Sequence, residues 1–282
     1  MSYGKGLTII IMTTQPKVLI FENSYILANY LLKLWQTIAQ QAIADHSQFN
    51  AALSGGRTPA EFYCRLSTLD DDALWQKTYL FLGDEHFVPA GDKENNFRMI
   101  KSNLIDYIHI PRANVHAIPT DVENAAVAAE HLKHELVGHF SYQRKSLPAG
   151  RQGLPTFDLV LLGVGEDGHT ASLFPGMDNI ADPNLVTVPV SLPYLKNDRV
   201  SISLSVINNA RYVIFLVLGA GKSEILHNIL EESFVCPASN VDPANGELIF
   251  LLDKEAARKL SKSFIGAHQQ DALSLDATVK QE

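Results

Sequence analysis

The sequence predicts an α/β fold: a mostly parallel, doubly wound (Rossmann-like) sheet with helices on both faces. Two observations predict it. Short apolar, β-branched runs alternate along the chain with segments whose apolar residues recur at helical spacing. Such alternation builds parallel sheets, because each crossover lays a helix back on the sheet. Glycine-rich turns also follow several strands, at the carboxyl ends where these sheets hold ligands.

The run VLIF over 18–21 reads as the first strand. Residues 24–44 then carry Ile26, Leu27, Tyr30, Leu31, Leu34 and Ile38 at helical spacing. FNAAL over 49–53 reads as a buried strand that runs into Ser54-Gly55-Gly56. A helix follows to Leu66, with Thr58 as its N-cap and Pro59 in the first helical position. TYLFL over 78–82 is the next strand. Helices are expected over 95–104 and 124–140, and strands over 157–162, 200–204 and 212–218. A helix over 222–230, a strand over 248–252 and a helix over 254–260 complete the pattern. The reading gives one domain over 17–266, a disordered or dispensable extension over 1–16 and a polar tail over 267–282. Met12 offers an alternative start, and KSLPAGRQGLP over 145–155 reads as an exposed loop.

A chain of 282 residues, 46% hydrophobic, has ample material for a core. Its net charge of −8 argues against sequence-independent nucleic-acid binding, which needs a basic surface. A small anion must therefore be held by local cations. The two cysteines, Cys64 and Cys236, imply no disulfide framework and fit a reducing cytoplasm. The apolar run over 7–12 is too short for a signal-peptide core or a membrane span, so no membrane partner is expected.

Four motifs follow strands. In Leu53-Ser-Gly-Gly-Arg-Thr-Pro59, Gly55 and Gly56 let the backbone approach an anion, and Arg57 adds a fixed charge beside a helix start. In Phe81-Leu-Gly-Asp-Glu-His-Phe-Val-Pro89, Asp84 and Glu85 end a strand; they alternate sides, so one of them faces a ligand. The third, Leu162-Gly-Val-Gly-Glu-Asp-Gly-His-Thr-Ala-Ser-Leu-Phe-Pro-Gly176, has a G-x-G-x-x-G pattern in Gly163, Gly165 and Gly168. A dinucleotide fingerprint would lead into a long helix, which Pro175-Gly176 forbids. What remains is Asp167 two residues from His169, a pair suited to acid/base work near neutral pH. The fourth, Leu218-Gly-Ala-Gly-Lys-Ser223, lacks the first glycine of a P-loop, since Leu216 stands there, but Lys222 still offers a cation to a phosphate. His131, His134 and His139 lie on a helix read as solvated, and His134-Glu135 with His139 misses the H-E-x-x-H zinc spacing; no metal is assigned. No G-x-S-x-G elbow surrounds Ser54, which argues against a serine nucleophile.

Taken together, LSGGRTP, GDEHFVP with ENNFRM, FDLVLLGVGEDGHTASLFPG, DRVSISLSVINNA and FLVLGAGKSEIL resemble the 6-phosphogluconolactonase family, within the group that includes glucosamine-6-phosphate deaminases and isomerases. The resemblance covers nearly all of residues 17–260. It implies hydrolysis of a phosphorylated sugar lactone, without metal or organic cofactor, by a monomer or small homo-oligomer. It implies His169 as acid/base supported by Asp167. Gly55, Gly56, Arg57 and Lys222 would hold the phosphate, Arg199 would contact substrate, and Asp84 and Glu85 would line the site. The family commonly has Asp-Glu-Arg in the second motif; here His86 replaces the arginine, exchanging a permanent cation for one expected to titrate near neutrality. The deaminases carry Asn-Glu-Pro after the DGH loop, where this chain has Ser172-Leu173-Phe174-Pro175 without a carboxylate. A deaminase or isomerase, or a sugar-phosphate sensor without turnover, are the alternatives to lactone hydrolysis.

Overall fold

A computed structural model describes residues 15–141, 153–178, 180 and 182–268. Its strands are β1 (Lys17–Phe21), β2 (Phe49–Leu53), β3 (Thr78–Leu82), β4 (Asp84–His86), β5 (Val115–His116), β6 (Leu159–Leu162), β7 (Thr187–Val190), β8 (Arg199–Ile202), β9 (Tyr212–Val217) and β10 (Glu247–Asp253). Its helices are α1 (Ser24–His46), α2 (Ala60–Leu66), α3 (Asp72–Gln76), α4 (Asn96–Asn103), α5 (Ala125–His139), α6 (Leu204–Ile207), α7 (Ser223–Leu230) and α8 (Lys254–Ala257).

Seven strands form one sheet in the order β1-β10-β9-β6-β2-β3-β5, every pair parallel. β2 and β6 are buried at every residue, as expected for strands covered on both faces. Helix α1 shows why the flanking helices form. The Asn23 side chain accepts the Ile26 N–H at 3.0 Å, satisfying an otherwise orphan donor. Leu27, Leu31, Leu34, Trp35, Ile38 and Ala42 then form one buried stripe. Trp35 stands edge-on to Phe49 of β2, centroids 4.9 Å apart. Cutting Trp35 back to Ala would cost about 3–5 kcal/mol.

The strand order places the ligand site. From β2 the chain builds outward through β3 to β5, then returns to the other side of β2 with β6 and continues to β9 and β10. The direction of building reverses between β2 and β6, and a crevice opens at the carboxyl ends of such a pair. The loops Ser54-Gly55-Gly56 and Gly163–Thr170 leave those two ends.

Several elements differ from the sequence expectation. The strand expected over 200–204 is β8, and it joins no parallel ladder. It lies in a second, antiparallel sheet of order β4-β8-β7. Leu204 already begins α6, because the Ser203 side chain caps the Val206 N–H and turns the chain into a helix. β4, β7 and the two-residue β5 carry too few residues for a period to show. Helix α2 starts at Ala60, not at Thr58; Thr58 and Pro59 form a turn, and no side chain caps the helix. The last predicted helix ends at Ala257 instead of Leu260. His139 of α5 is not on a solvated face. It packs among Tyr79, Phe81, His116 and Phe140, and burial and His116 hold its imidazole down at about 4. Residues 1–14, most of the loop at 145–155 and the tail beyond 268 lie outside the described residues, Met12 with them. No helix among the described residues is long and apolar enough to cross a membrane.

Candidate active site

The crevice between β2 and β6 is a cavity of about 480 Å³, large enough for a sugar phosphate. Its lining brings together Gly55, Gly56 and Arg57 from the first motif, Asp84 and His86 from β4, Gly163 and His169 from the third motif, and Arg199 from β8. The small sheet supplies one wall. Gly83 bends the chain from β3 into β4; its N–H donates to Leu53 O and its carbonyl accepts from Ile202 N–H, both at 2.8 Å.

The loop after β6 is built around one pair. Asp167 Oδ1 lies 2.5 Å from His169 Nδ1 and 3.2 Å from the His169 backbone N. Gly165 makes room: a Cβ there would sit 2.1 Å from the His169 ring and 2.5 Å from Asp167 Oδ1. The Gly165 N–H donates to His169 O at 2.8 Å, and Thr170 Oγ1 donates to Gly163 O at 2.8 Å, closing the loop on itself. Burial pushes the Asp167 carboxyl up, but the His169 backbone N–H, the charge of its ring and the ring hydrogen bond outweigh it and hold the carboxyl below its ordinary range. An ionised carboxylate only accepts, so it places the proton on Nδ1 and leaves Nε2 with its lone pair. A site with that lone pair can take a proton from water and return it.

The two neighbouring carboxylates separate. Asp84 lines the cavity, and its Oδ2 accepts from Ser172 Oγ at 2.6 Å. Glu85 does not line it, contrary to expectation. It points the other way along β4 and is fully buried, where it accepts the N–H groups of His86, Asn96 and Phe97 at 2.8, 2.6 and 2.8 Å. Two of those donors open α4, so Glu85 anchors that helix against the site. Burial, reinforced by Asp84, raises its carboxyl to about 7 against the pull of these donors. Asn96, thus fixed, lies so close to Gly55 that a Cβ on the glycine would sit 1.9 Å from its side-chain oxygen.

The cations are arranged around the opening. Arg57 and Lys93 line the cavity, and neither side chain has an ionic partner among the described residues. Arg199 presents a guanidinium whose Nε is buried without a hydrogen-bond partner. Lys222 does not line the same space. It borders a smaller adjoining cavity of about 70 Å³ that shares Ser54, Gly55, Gly163 and Val164 with the larger one, because the chain turns through Ala220–Lys222 before α7 starts. His86 pairs across the strands with Arg199. Burial first, then that guanidinium, hold its imidazole below the ordinary histidine range, although Asp84, Glu94 and Asp92 oppose them. His86 is therefore harder to protonate than the ordinary histidine expected to titrate near neutrality. Ser54 Oγ donates to Leu161 O at 2.7 Å and ties the loop after β2 to strand β6, a structural use.

Lys93, Asn96 and Ser172 were not singled out from the sequence. Asn96 had a signal in the Asn-Asn pair at a helix start; a lone lysine in a loop gives none. Among the described residues, no three His, Cys, Asp or Glu side chains cluster as a metal site would.

Comparison with known proteins is consistent with this geometry. Residues 22–250 match the family model described as glucosamine-6-phosphate isomerases/6-phosphogluconolactonase. The chain is 36% identical over 250 residues to 6-phosphogluconolactonase of Synechocystis, covering 87% of this chain and 98% of that protein. It is 35% identical over 234 residues to the Nostoc 6-phosphogluconolactonase, covering 82% and 92%. The solved 6-phosphogluconolactonase of Trypanosoma brucei superposes with a TM-score of 0.75 at 29% identity, covering 88% of this chain and 100% of that one.

Proposed function

The chain belongs to the glucosamine-6-phosphate isomerase/6-phosphogluconolactonase family, and we propose that its cavity hydrolyses 6-phospho-D-glucono-1,5-lactone to 6-phospho-D-gluconate with His169 as acid/base. The observation that carries the roles is the Asp167–His169 pair opening onto a cavity rimmed by unpaired cations. A water held at His169 Nε2 gives up a proton as its oxygen attacks the lactone C1 carbonyl. The imidazolium so formed is stabilised by Asp167. When the tetrahedral intermediate collapses, the C1–O5 bond breaks and the same nitrogen returns the proton to O5. Asp167 keeps Nδ1 protonated throughout, so one nitrogen serves both steps. Arg57, Arg199 and Lys93 compensate the charge of the phosphate and the developing oxyanion, and Lys222 reaches the phosphate through the adjoining cavity. A δ-lactone already opens slowly in water, so acid/base help of about 10²–10⁴-fold plus orientation by the phosphate is sufficient.

The deaminase reading finds no carboxylate at 172–175. Ser172 there is committed to Asp84, and Leu173 and Phe174 are buried. The lactonase reading implies a role in the oxidative pentose phosphate pathway of a cytoplasm, as a monomer or small homo-oligomer. The test is hydrolysis of freshly generated lactone, coupled to 6-phosphogluconate oxidation. A rate far above background, lost in His169→Ala, supports the reading. A folded wild type no faster than background overturns it.

A further inference from the structure

Phe174 touches two groups that the proposed reaction uses. Its ring centroid lies 4.6 Å from that of His169, with the planes 35° apart. The guanidinium carbon of Arg199 lies 5.5 Å from the same centroid. The ring itself is 3% exposed and does not line the cavity. Its place is set from several sides. Thr170 and Leu173 exchange backbone hydrogen bonds at 3.3 and 2.9 Å, so the chain turns sharply just before it. The Phe174 N–H meets Met177 Sδ at 3.1 Å, and Tyr194 stands edge-on, centroids 6.2 Å apart.

An aromatic face carries partial negative charge and attracts a guanidinium or an imidazolium within about 6 Å. Arg199 needs such support. Its Nε has no hydrogen-bond partner, so no hydrogen bond at that atom fixes the side chain. His169 is held at one edge by Asp167 and at one face by this ring.

We propose that Phe174 is a positioning residue: one buried ring orients both the acid/base His169 and the substrate-binding Arg199, and so couples binding to turnover. The inference rests on the lactonase reading. It assigns a role to a side chain that does not line the cavity.

The test is Phe174→Leu, which keeps apolar volume and removes the ring, with Phe174→Tyr as the aromatic control. Each is measured for kcat and KM with the lactone and for 6-phosphogluconate affinity by calorimetry, in wild-type and Arg199→Met backgrounds. Expected for Phe174→Leu is about a tenfold loss in kcat and about a tenfold weakening of KM and product affinity. Phe174→Tyr restores both to within about twofold. In the Arg199→Met background the affinity effect of Phe174→Leu disappears, while the kcat loss stays. If Phe174→Leu fails to fold, Phe174→Met carries the same measurement. Overturning results are a Phe174→Leu enzyme within twofold of wild type, a Phe174→Tyr enzyme as poor as Phe174→Leu, or affinity losses that multiply independently with Arg199→Met. An inactive wild type would instead sink the lactonase reading; an active wild type insensitive at Phe174 sinks this inference alone.

Discussion

Among the described residues, two of the close histidine–carboxylate pairs flank β6, one at each end, and their surroundings differ. Asp167 and His169 meet at 2.5 Å after the carboxyl end of β6. Asp158 and His46 meet at 2.9 Å just before its amino end. Asp158 is 1% exposed in its side chain, against 50% for Asp167. Asp158 has no capacity to spare. Beyond His46 it takes the Asn50 backbone N–H at 2.8 Å, the Asn50 side chain at 3.3 Å and Arg211 Nε at 3.4 Å. These partners lead into β2 and β9, the neighbours of β6, so Asp158 clamps the central strands. Asp167 is held by the ring and the backbone N–H of His169, and His169 lines the cavity. A carboxylate beside a histidine is thus no mark of catalysis. The far nitrogen does not separate the two pairs by being free, since His46 Nδ1 is buried without a hydrogen-bond partner too. What separates them is that His169 lines a cavity and has a glycine clearing its space.

Breaking each pair should separate these roles. His169→Ala is expected to lower kcat by about 10²–10⁴ with little change in melting temperature. Asp158→Ala is expected to cost about 3–5 kcal/mol in denaturant unfolding, because His46 and Arg211 lose a buried partner, with kcat per folded molecule unchanged. Loss of turnover in Asp158→Ala at full stability would collapse the distinction. Gly165→Ala tests the cleared space directly. Its Cβ would collide with both members of the pair. A displacement of about 1 Å at a reacting group costs about 10²-fold in kcat, while KM, set by the cations elsewhere in the cavity, should hold. Normal turnover in a Gly165→Ala enzyme would show that the pair need not sit where it does.

The contrast also explains what was legible in the sequence. Asp167, Gly168 and His169 are adjacent, and their glycines follow a strand, so the pair proposed as acid/base could be read directly. His46 and Asp158 are 112 residues apart, and no local pattern joins them. Six of the seven parallel strands were legible because each carries an apolar run of about four residues or more, broken at most once by a polar one; the two-residue β5 was not. The small antiparallel sheet was not, since β4 is the polar triplet Asp84-Glu85-His86 and β8 opens with Arg199. Its strands are held by cross-strand pairing, which leaves little trace in either segment alone. For the same reason Glu85 read as a site residue: the α4 N–H groups that donate to it lie 11 and 12 residues on.

His86 and His139 extend the comparison to smaller effects. At His86 the chain places, opposite Arg199, a ring whose protonation burial and that guanidinium oppose. His86→Arg would add a permanent charge at the rim, where exposed charges are worth about 0.2–1 kcal/mol, so KM should fall about two- to fivefold with kcat unchanged. An unchanged KM would mean that position 86 does not meet the substrate.

His139 belongs with the structural pair. Its ring nitrogen lies 2.7 Å from Asn50 Oδ1, on the same residue that Asp158 holds. Its imidazole is held at about 4, against an ordinary value of 6.5, by burial and by His116. A base whose pKa is lower folded than unfolded gives up its proton on folding. The stability this lends is therefore full above about 6.5 and is lost as the pH falls toward 4. Because the ring is only partly buried, the effect is discounted to about 1 kcal/mol. His139→Gln keeps a donor for Asn50 but does not titrate. The stability gap between wild type and this variant should therefore shift by about that amount, against wild type, between pH 7 and pH 4.5. A gap that stays constant over that range would place the acid sensitivity of the fold elsewhere.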